Sequence, residues 1–206
     1  LRSVHQSNVG NYEYEVIVVD NASSDQSVKM MKEEFPEIVL ISNRKNLGFA
    51  AGNNLGIKRT QGEFILFLNP DTEVENQTLK TMLEFMKEND EVGVATCRVE
   101  LRSGKIDDAS HRGFPTPWNA FCHFSGLAKR FSSSSFFNGY HLGYKDLDKR
   151  HEIDSCTGAF MLIRKQAGES LGWLDEDYFW YGEDLDFCYR VKEKGWKIMY
   201  IPDVKI

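Results

Sequence analysis

No apolar run in the 206 residues approaches the roughly 18 that a membrane-spanning helix needs. Basic charge is also short: 25 Lys and Arg stand against 31 Asp and Glu, a net charge of −6. No basic stripe exists to neutralise phosphates, which argues against a nucleic-acid surface. One bound nucleotide is not excluded, because it needs only local donors or a metal. The four cysteines, Cys97, Cys122, Cys156 and Cys188, form no C-x-x-C pair, which argues against both a zinc site and a disulfide framework. They read as buried, reduced thiols of a cytosolic protein. No internal repeat is visible.

What remains is ordinary for one globular domain with a real core: 41% hydrophobic and 27% charged residues. Apolar runs and amphipathic stretches alternate along the first half. Tyr14 to Val19 is a β-rich run that stops at Asp20-Asn21. A helix follows, with Ser24 available as its cap and Val28, Met31 and Phe35 at helical spacing. Ile38 to Ser42 predicts a second strand, and Gly48 to Arg59 a helical stretch rich in Gly and Asn. Glu63 to Leu68 reads as a buried strand that ends at Asn69-Pro70-Asp71. Leu79, Met82, Leu83 and Met86 mark a helix, and Val92 to Thr96 a strand.

This alternation predicts an α/β fold with a mostly parallel, Rossmann-like sheet flanked by helices. Ligands of such sheets bind beyond the carboxyl ends of the strands, where Asp20 and Asp71 both fall. A doubly wound sheet usually opens with its central strand, so an apolar strand is expected ahead of Leu1. Residues 103–150 lose the pattern and read as an irregular excursion rather than a separate domain. Order returns with a strand at Ala159 to Arg164, a helix from about Glu183 to Lys194, and a strand at Lys197 to Ile201.

Three constellations could carry chemistry. Asp20 and Asn21, with Asp25, offer donors and acceptors suited to a base and ribose, although the same residues are good turn and cap formers. Asp71 follows a buried strand and is placed to hold a divalent cation, with N-P-D as turn chemistry the alternative. The stretch from Asp175 to Arg190 crowds carboxylates and aromatics at a helix start, which the helix dipole explains only in part. There Asp184, Cys188 and Val191 share one helical face, so Asp184 should point inward where a general base would work.

In this order and spacing, the segments VIVVDNASSDQS, NLGFAAGNNLGI, GEFILFLNPDTEV, CTGAFMLIRK and FWYGEDLDFCYRVKEKGWKIMYIPD resemble family 2 of the inverting glycosyltransferases, in particular its rhamnosyltransferase-like branch. The resemblance spans about Val16 to Asp203. It implies a GT-A fold in one catalytic domain, residues 1–206, with a nucleotide-sugar-binding half (1–102) and an irregular acceptor-binding half (103–206), shortened at both ends.

By that resemblance Asp20 and Asn21 contact the base and ribose, although many members carry Asp-Asp here. Asn46, Gly48 and Asn53 line the nucleotide cleft, and Asn69 stands beside the donor. Asp71 is the surviving carboxylate of the family's D-x-D motif and would ligate Mn2+ or Mg2+. Members often add a histidine past the last strand. The sequence ends at Ile206 before one, so the metal site is expected to be incomplete. Asp184 matches the catalytic base, and Glu183 supports positioning. Gly158 leaves room beside the donor sugar, while Trp180 and Tyr181 serve the acceptor side or pack in the core.

The implied partners are a nucleotide-diphosphate sugar and a glycan or lipid-linked acceptor. The implied activity is hexosyl, and by analogy rhamnosyl, transfer in surface-polysaccharide synthesis. Nucleotide sugars are made in the cytoplasm, so the place implied is cytoplasmic, with peripheral association at the inner membrane face. Two other classes share features of the pattern. A sugar-phosphate nucleotidyltransferase would carry a basic, Gly-rich loop near its start, and none is present. A non-catalytic sugar-nucleotide or glycan-binding domain would have no need of Asp71 and Asp184.

Overall fold

The structure, a computed structural model, describes residues 1–206. Its elements in chain order are α1 (Arg2–Gln6), β1 (Ile17–Asp20), α2 (Ser27–Glu34), β2 (Val39–Ser42), α3 (Phe49–Ile57), β3 (Phe64–Leu68), α4 (Thr78–Glu88), β4 (Val92–Arg98), α5 (Pro117–Phe124), α6 (Leu127–Arg130), β5 (His151–Glu152), β6 (Phe160–Arg164), α7 (Lys165–Leu171), α8 (Glu183–Glu193) and β7 (Lys197–Lys205).

Strand periodicity sorts the apolar residues onto two faces. Ile65, Phe67, Val94, Met161, Ile163 and Ile198 pack with Phe187, Cys188 and Val191 of α8 in one core. Ala95, Phe160, Leu162 and Ile201 face the other way, onto Leu79, Met82, Phe85 and Met86 of α4. β4 is buried on both faces along almost its whole length, as a central strand covered by helices must be. No helix is long and apolar enough to cross a membrane.

The expectation of a mostly parallel sheet needs correction. β1 and β2 form a parallel pair of their own, and the main sheet has the order β3-β6-β4-β7-β5. β4 and β7 run parallel, whereas β6 is antiparallel to both its neighbours and β5 is antiparallel to β7. The long excursion explains this. It leaves the sheet at the carboxyl end of β4 and returns at the same edge, so β6 must run back down. Phe160 at the start of β6 therefore sits opposite Leu68 at the end of β3.

Two local expectations also change. Ser24 does not cap α2, which begins only at Ser27, and Asp25 takes up that amide instead (2.9 Å). The excursion carries more order than its sequence suggested. Thr116 caps α5 by accepting from the Asn119 amide, and Pro117 stands where its missing N–H costs nothing.

One buried side chain ties the first half to the segment that leads into α8. Asn54 of α3 donates to the Leu174 carbonyl (2.8 Å) and to Glu176 Oε1 (2.9 Å), and accepts from the Leu174 amide (3.3 Å). Asn54→Ala would leave the buried Leu174 amide and carbonyl unpaired, at about 1–3 kcal/mol. Asn54→Asp would aim a second carboxylate at a carbonyl and a carboxylate. Urea denaturation at neutral pH is expected to rank wild type above Asn54→Ala, with Asn54→Asp at least as damaged. A neutral Asn54→Asp would contradict this account.

Candidate active site

Every sequence motif reaches one edge of the structure, and the contacts can be followed from strand to strand. Asp20 closes β1 and is buried, and both its oxygens accept from the Ser23 amide (3.3 Å). The chain turns through Ala22 at φ 65°, a left-handed conformation that a non-glycine residue adopts only under constraint. The Asn21 side chain is engaged at both ends. It donates to the Gly48 carbonyl and accepts from Asn43 Nδ2, each at 2.9 Å. Its visible task is to hold the 46–49 loop against β1.

Gly48 allows the next step. Its φ is +86°, and a Cβ there would lie 2.5 Å from the Phe179 carbonyl oxygen, a distance no side chain tolerates. Backbone thus passes directly over backbone, and the Phe49 amide donates to that same carbonyl (3.3 Å). Asn46 is exposed and accepts from the Gly48 amide (2.9 Å), while Asn53 donates back to the Phe49 carbonyl (2.9 Å). The Phe49 ring lies across Gly158, whose absent Cβ would be 2.8 Å from it. The Asn69 amide donates to the Ala159 carbonyl (3.1 Å). The ends of β1 and β3, the start of β6 and the Phe179 loop accordingly meet in one place.

Asp71 lies in the turn after β3, where the Thr72 hydroxyl donates to the Asn69 carbonyl (2.8 Å). Its carboxylate is exposed, and it takes part in none of the side-chain hydrogen bonds or ion pairs of the protein. The protein holds no cluster of three or more His, Cys, Asp or Glu side chains suited to a metal ion. A single bare carboxylate at a strand end still fits Mg2+ or Mn2+, which take most of their ligands from phosphate oxygens and water.

The chain approaches α8 through Tyr181 at φ 68° and Gly182 at φ 98°, a second constrained turn. Glu183 and Asp184 follow, and both turn inward. Asp184 Oδ1 accepts from the Leu185 amide (2.8 Å) and Oδ2 from Arg112 Nη2 (2.9 Å), with only 17% of its side chain exposed. One helical turn on, the Cys188 thiol faces the Cys156 carbonyl, two residues ahead of Gly158. Glu183 is the more buried of the two, at 7% exposure, and its Oε2 has no partner. Burial pushes its carboxyl above the usual glutamate range, against the pull of the helix backbone.

Of the two readings of Trp180 and Tyr181, packing in the core is ruled out. They are 59% and 79% exposed and touch each other edge to face (5.7 Å) at the rim. The side chain set against Asp184 is Arg112. Arg112 comes from the excursion, where no motif or period marks it. Two polar hollows, around Arg164 and Lys165 and beside the carboxyl end of α3, lie at the opposite end of the sheet and touch none of these residues.

The sequence matches the family described as Glycosyl transferase family 2 over residues 1–172, a span that ends before Glu183 and Asp184. The low-salt glycan biosynthesis hexosyltransferase Agl10 of Haloferax volcanii is 27% identical over 185 residues, covering 88% of this chain and 54% of that protein. The rhamnosyltransferase WbbL of Escherichia coli is 25% identical over 209 residues, covering 95% of this chain and 72% of its own length. Among solved structures, GalNAc-T7 with UDP, GalNAc and Mn2+ superposes with a TM-score of 0.70 at 15% identity, over 98% of this chain and 39% of that one. That likeness fixes the fold as GT-A.

The unpartnered Glu183 makes stability depend on pH. Its folded-state affinity for a proton exceeds that of the unfolded chain, so this contribution is full below about pH 4.3 and is lost as pH rises through the raised folded value. Glu183→Gln keeps the shape and removes the charge. It is expected to be more stable than the parent at pH 7, with the gain shrinking toward pH 4, as read by urea denaturation at both pH values. A loss at pH 7, or an equal gain at both, would refute it.

Proposed function

The chain belongs to glycosyl transferase family 2, and from that premise we propose that it is an inverting enzyme. It moves a hexosyl group, rhamnosyl by analogy with its relatives, from a nucleoside diphosphate sugar to a hydroxyl of a glycan or lipid-linked acceptor. The setting proposed is surface-polysaccharide assembly in the cytoplasm, at the inner membrane face. The observation that carries the reading is the meeting of the ends of β1 and β3, the start of β6 and the approach to α8 at one edge, with the Asp184–Arg112 pair tied to it through Cys156.

In this reading Asp20 and the Asn21 turn form the floor for base and ribose, and Asn46, Gly48 and Asn53 the wall of the cleft. The diphosphate lies toward Asn69 and Asp71. A divalent cation held by Asp71 would supply charge neutralisation to the departing diphosphate. The room that Gly158 was expected to leave for the donor sugar is taken by the Phe49 ring, while the exposed rings of Trp180 and Tyr181 offer flat apolar faces to an acceptor sugar.

Asp184 accepts the proton of the attacking hydroxyl as the oxygen closes on the anomeric carbon from the face opposite the diphosphate. One displacement inverts the configuration. Arg112 is a positioning residue: its bond to Oδ2 fixes the carboxylate plane and balances its charge where water is scarce. Glu183 supports the same helix mouth.

Two measurements test this. Asp184→Asn is expected to lower turnover by about 100- to 10,000-fold while donor binding stays nearly unchanged. Release of free nucleoside diphosphate across a panel of nucleotide sugars gives the readout, and near-normal turnover would remove Asp184 from the role. For the cation, UDP or dTDP is titrated with manganese and with excess chelator. Affinity should drop in chelator and in Asp71→Ala. Indifference to both would rule out the metal role.

A further inference from the structure

The excursion carries a surface that the transfer chemistry does not use. From Ala109 to Lys145 the sequence contains no Asp or Glu, in a chain whose net charge is −6. Phe121 and Phe124 of α5 lie about 60° apart on its outward side, turned away from buried Cys122. Phe124 is 86% exposed, and Phe136, just beyond α6, is 63% exposed. Trp118 bridges Phe121 and Phe136. Its ring lies 5.6 Å from Phe121 and 4.9 Å from Phe136, and its Nε1 donates to the Phe136 carbonyl (2.7 Å). Exposed Lys129 and Arg130 end α6 beside it, with Arg130 over the Phe131 ring (5.9 Å to the centroid).

Such a face is costly to leave in water, and its own segment supplies no acidic side chain. A contiguous apolar patch of this kind marks a binding surface. Rings of Trp and Phe flanked by Lys and Arg suit the boundary between acyl chains and anionic headgroups. A second copy of this acidic chain would supply no concentrated anionic plane, and a neutral glycan would have no use for Lys129 and Arg130.

We propose that the α5–α6 face docks on a bilayer rich in anionic lipid, with Phe121 and Phe124 entering the headgroup boundary and Lys129 and Arg130 meeting the phosphates. The excursion is rooted at the site by the Arg112–Asp184 bond, so docking would set the site at a fixed height above the membrane. This deepens the lipid-linked acceptor reading, but it rests on separate observations.

The test needs neither donor nor acceptor. The chain is sedimented with vesicles of phosphatidylcholine alone and with vesicles that also contain phosphatidylglycerol. Binding is expected only to the anionic vesicles, with a blue shift of tryptophan emission, and it should weaken in high salt. Lys129→Glu with Arg130→Glu should weaken binding by at least about 25-fold, at about 5-fold per basic residue lost. Phe121→Ser with Phe124→Ser should cost about 10-fold or more. Asp184→Asn should bind vesicles like wild type, which separates this proposal from the catalytic one. No binding to anionic vesicles at low salt would overturn it. So would binding that both double variants leave unchanged while remaining folded by circular dichroism, or a self-association that Phe121→Ser with Phe124→Ser abolishes in the absence of vesicle binding.

Discussion

The antiparallel pairing of β3 with β6 is the constraint on which the site depends. Five residue pairs run from Phe64 opposite Arg164 to Leu68 opposite Phe160. That register leaves Asn69 and Ala159 to continue the ladder past the strand ends. The two segments on either side of the cleft, one bearing Asp71 and the other Gly158, are thus held by backbone hydrogen bonds rather than by side chains. A slip of one residue would turn every core side chain of β6 to the wrong face. The position of the site is therefore as secure as the core itself.

Much of this was legible because it is repetitive. The apolar runs of β3 and β4 and the helical spacing of Leu79, Met82 and Met86 repeat a signal over several residues, and they emerge where the pattern puts them. The strand ends followed, and with them Asp20 and Asp71. The direction of β6 was hidden, because the phase of a strand's side chains says nothing about which way it runs. Only the path of the excursion decides it. The same applies to Arg112. A single cation in an irregular segment has no period, and its partner is 72 positions away. The inward turn of Asp184 was legible from Cys188 and Val191. The exposure of Trp180 and Tyr181 was not, because the left-handed turn at Tyr181 and Gly182 swings them outward just before the helix begins.

The two adjacent carboxylates of α8 have been given opposite surroundings. Asp184 has a guanidinium and a backbone amide for its oxygens, whereas one oxygen of Glu183 faces no donor. Local charge compensation, rather than depth of burial, separates them. Desolvation of an unpaired carboxylate is unfavourable, so the molecule keeps Glu183 at the expense of stability. Such an arrangement is more usual at a working site than in a core.

The bond between Arg112 and Asp184 also bears on how the chain comes off the ribosome. Synthesis proceeds at about 5–20 residues per second, and early segments can collapse before later ones exist. When β4 has emerged the main sheet is still unpaired, because β3 and β4 are joined only through β6, and the core against α4 still lacks Phe160, Leu162 and Ile201. Arg112 emerges next and waits for a partner that is not yet made. Until α8 docks, the root of the excursion holds a cation whose burial nothing offsets, so that segment stays open. A nascent chain interrupted before residue 184 would lack the Arg112–Asp184 pair, and one interrupted before residue 160 would lack the main sheet as well.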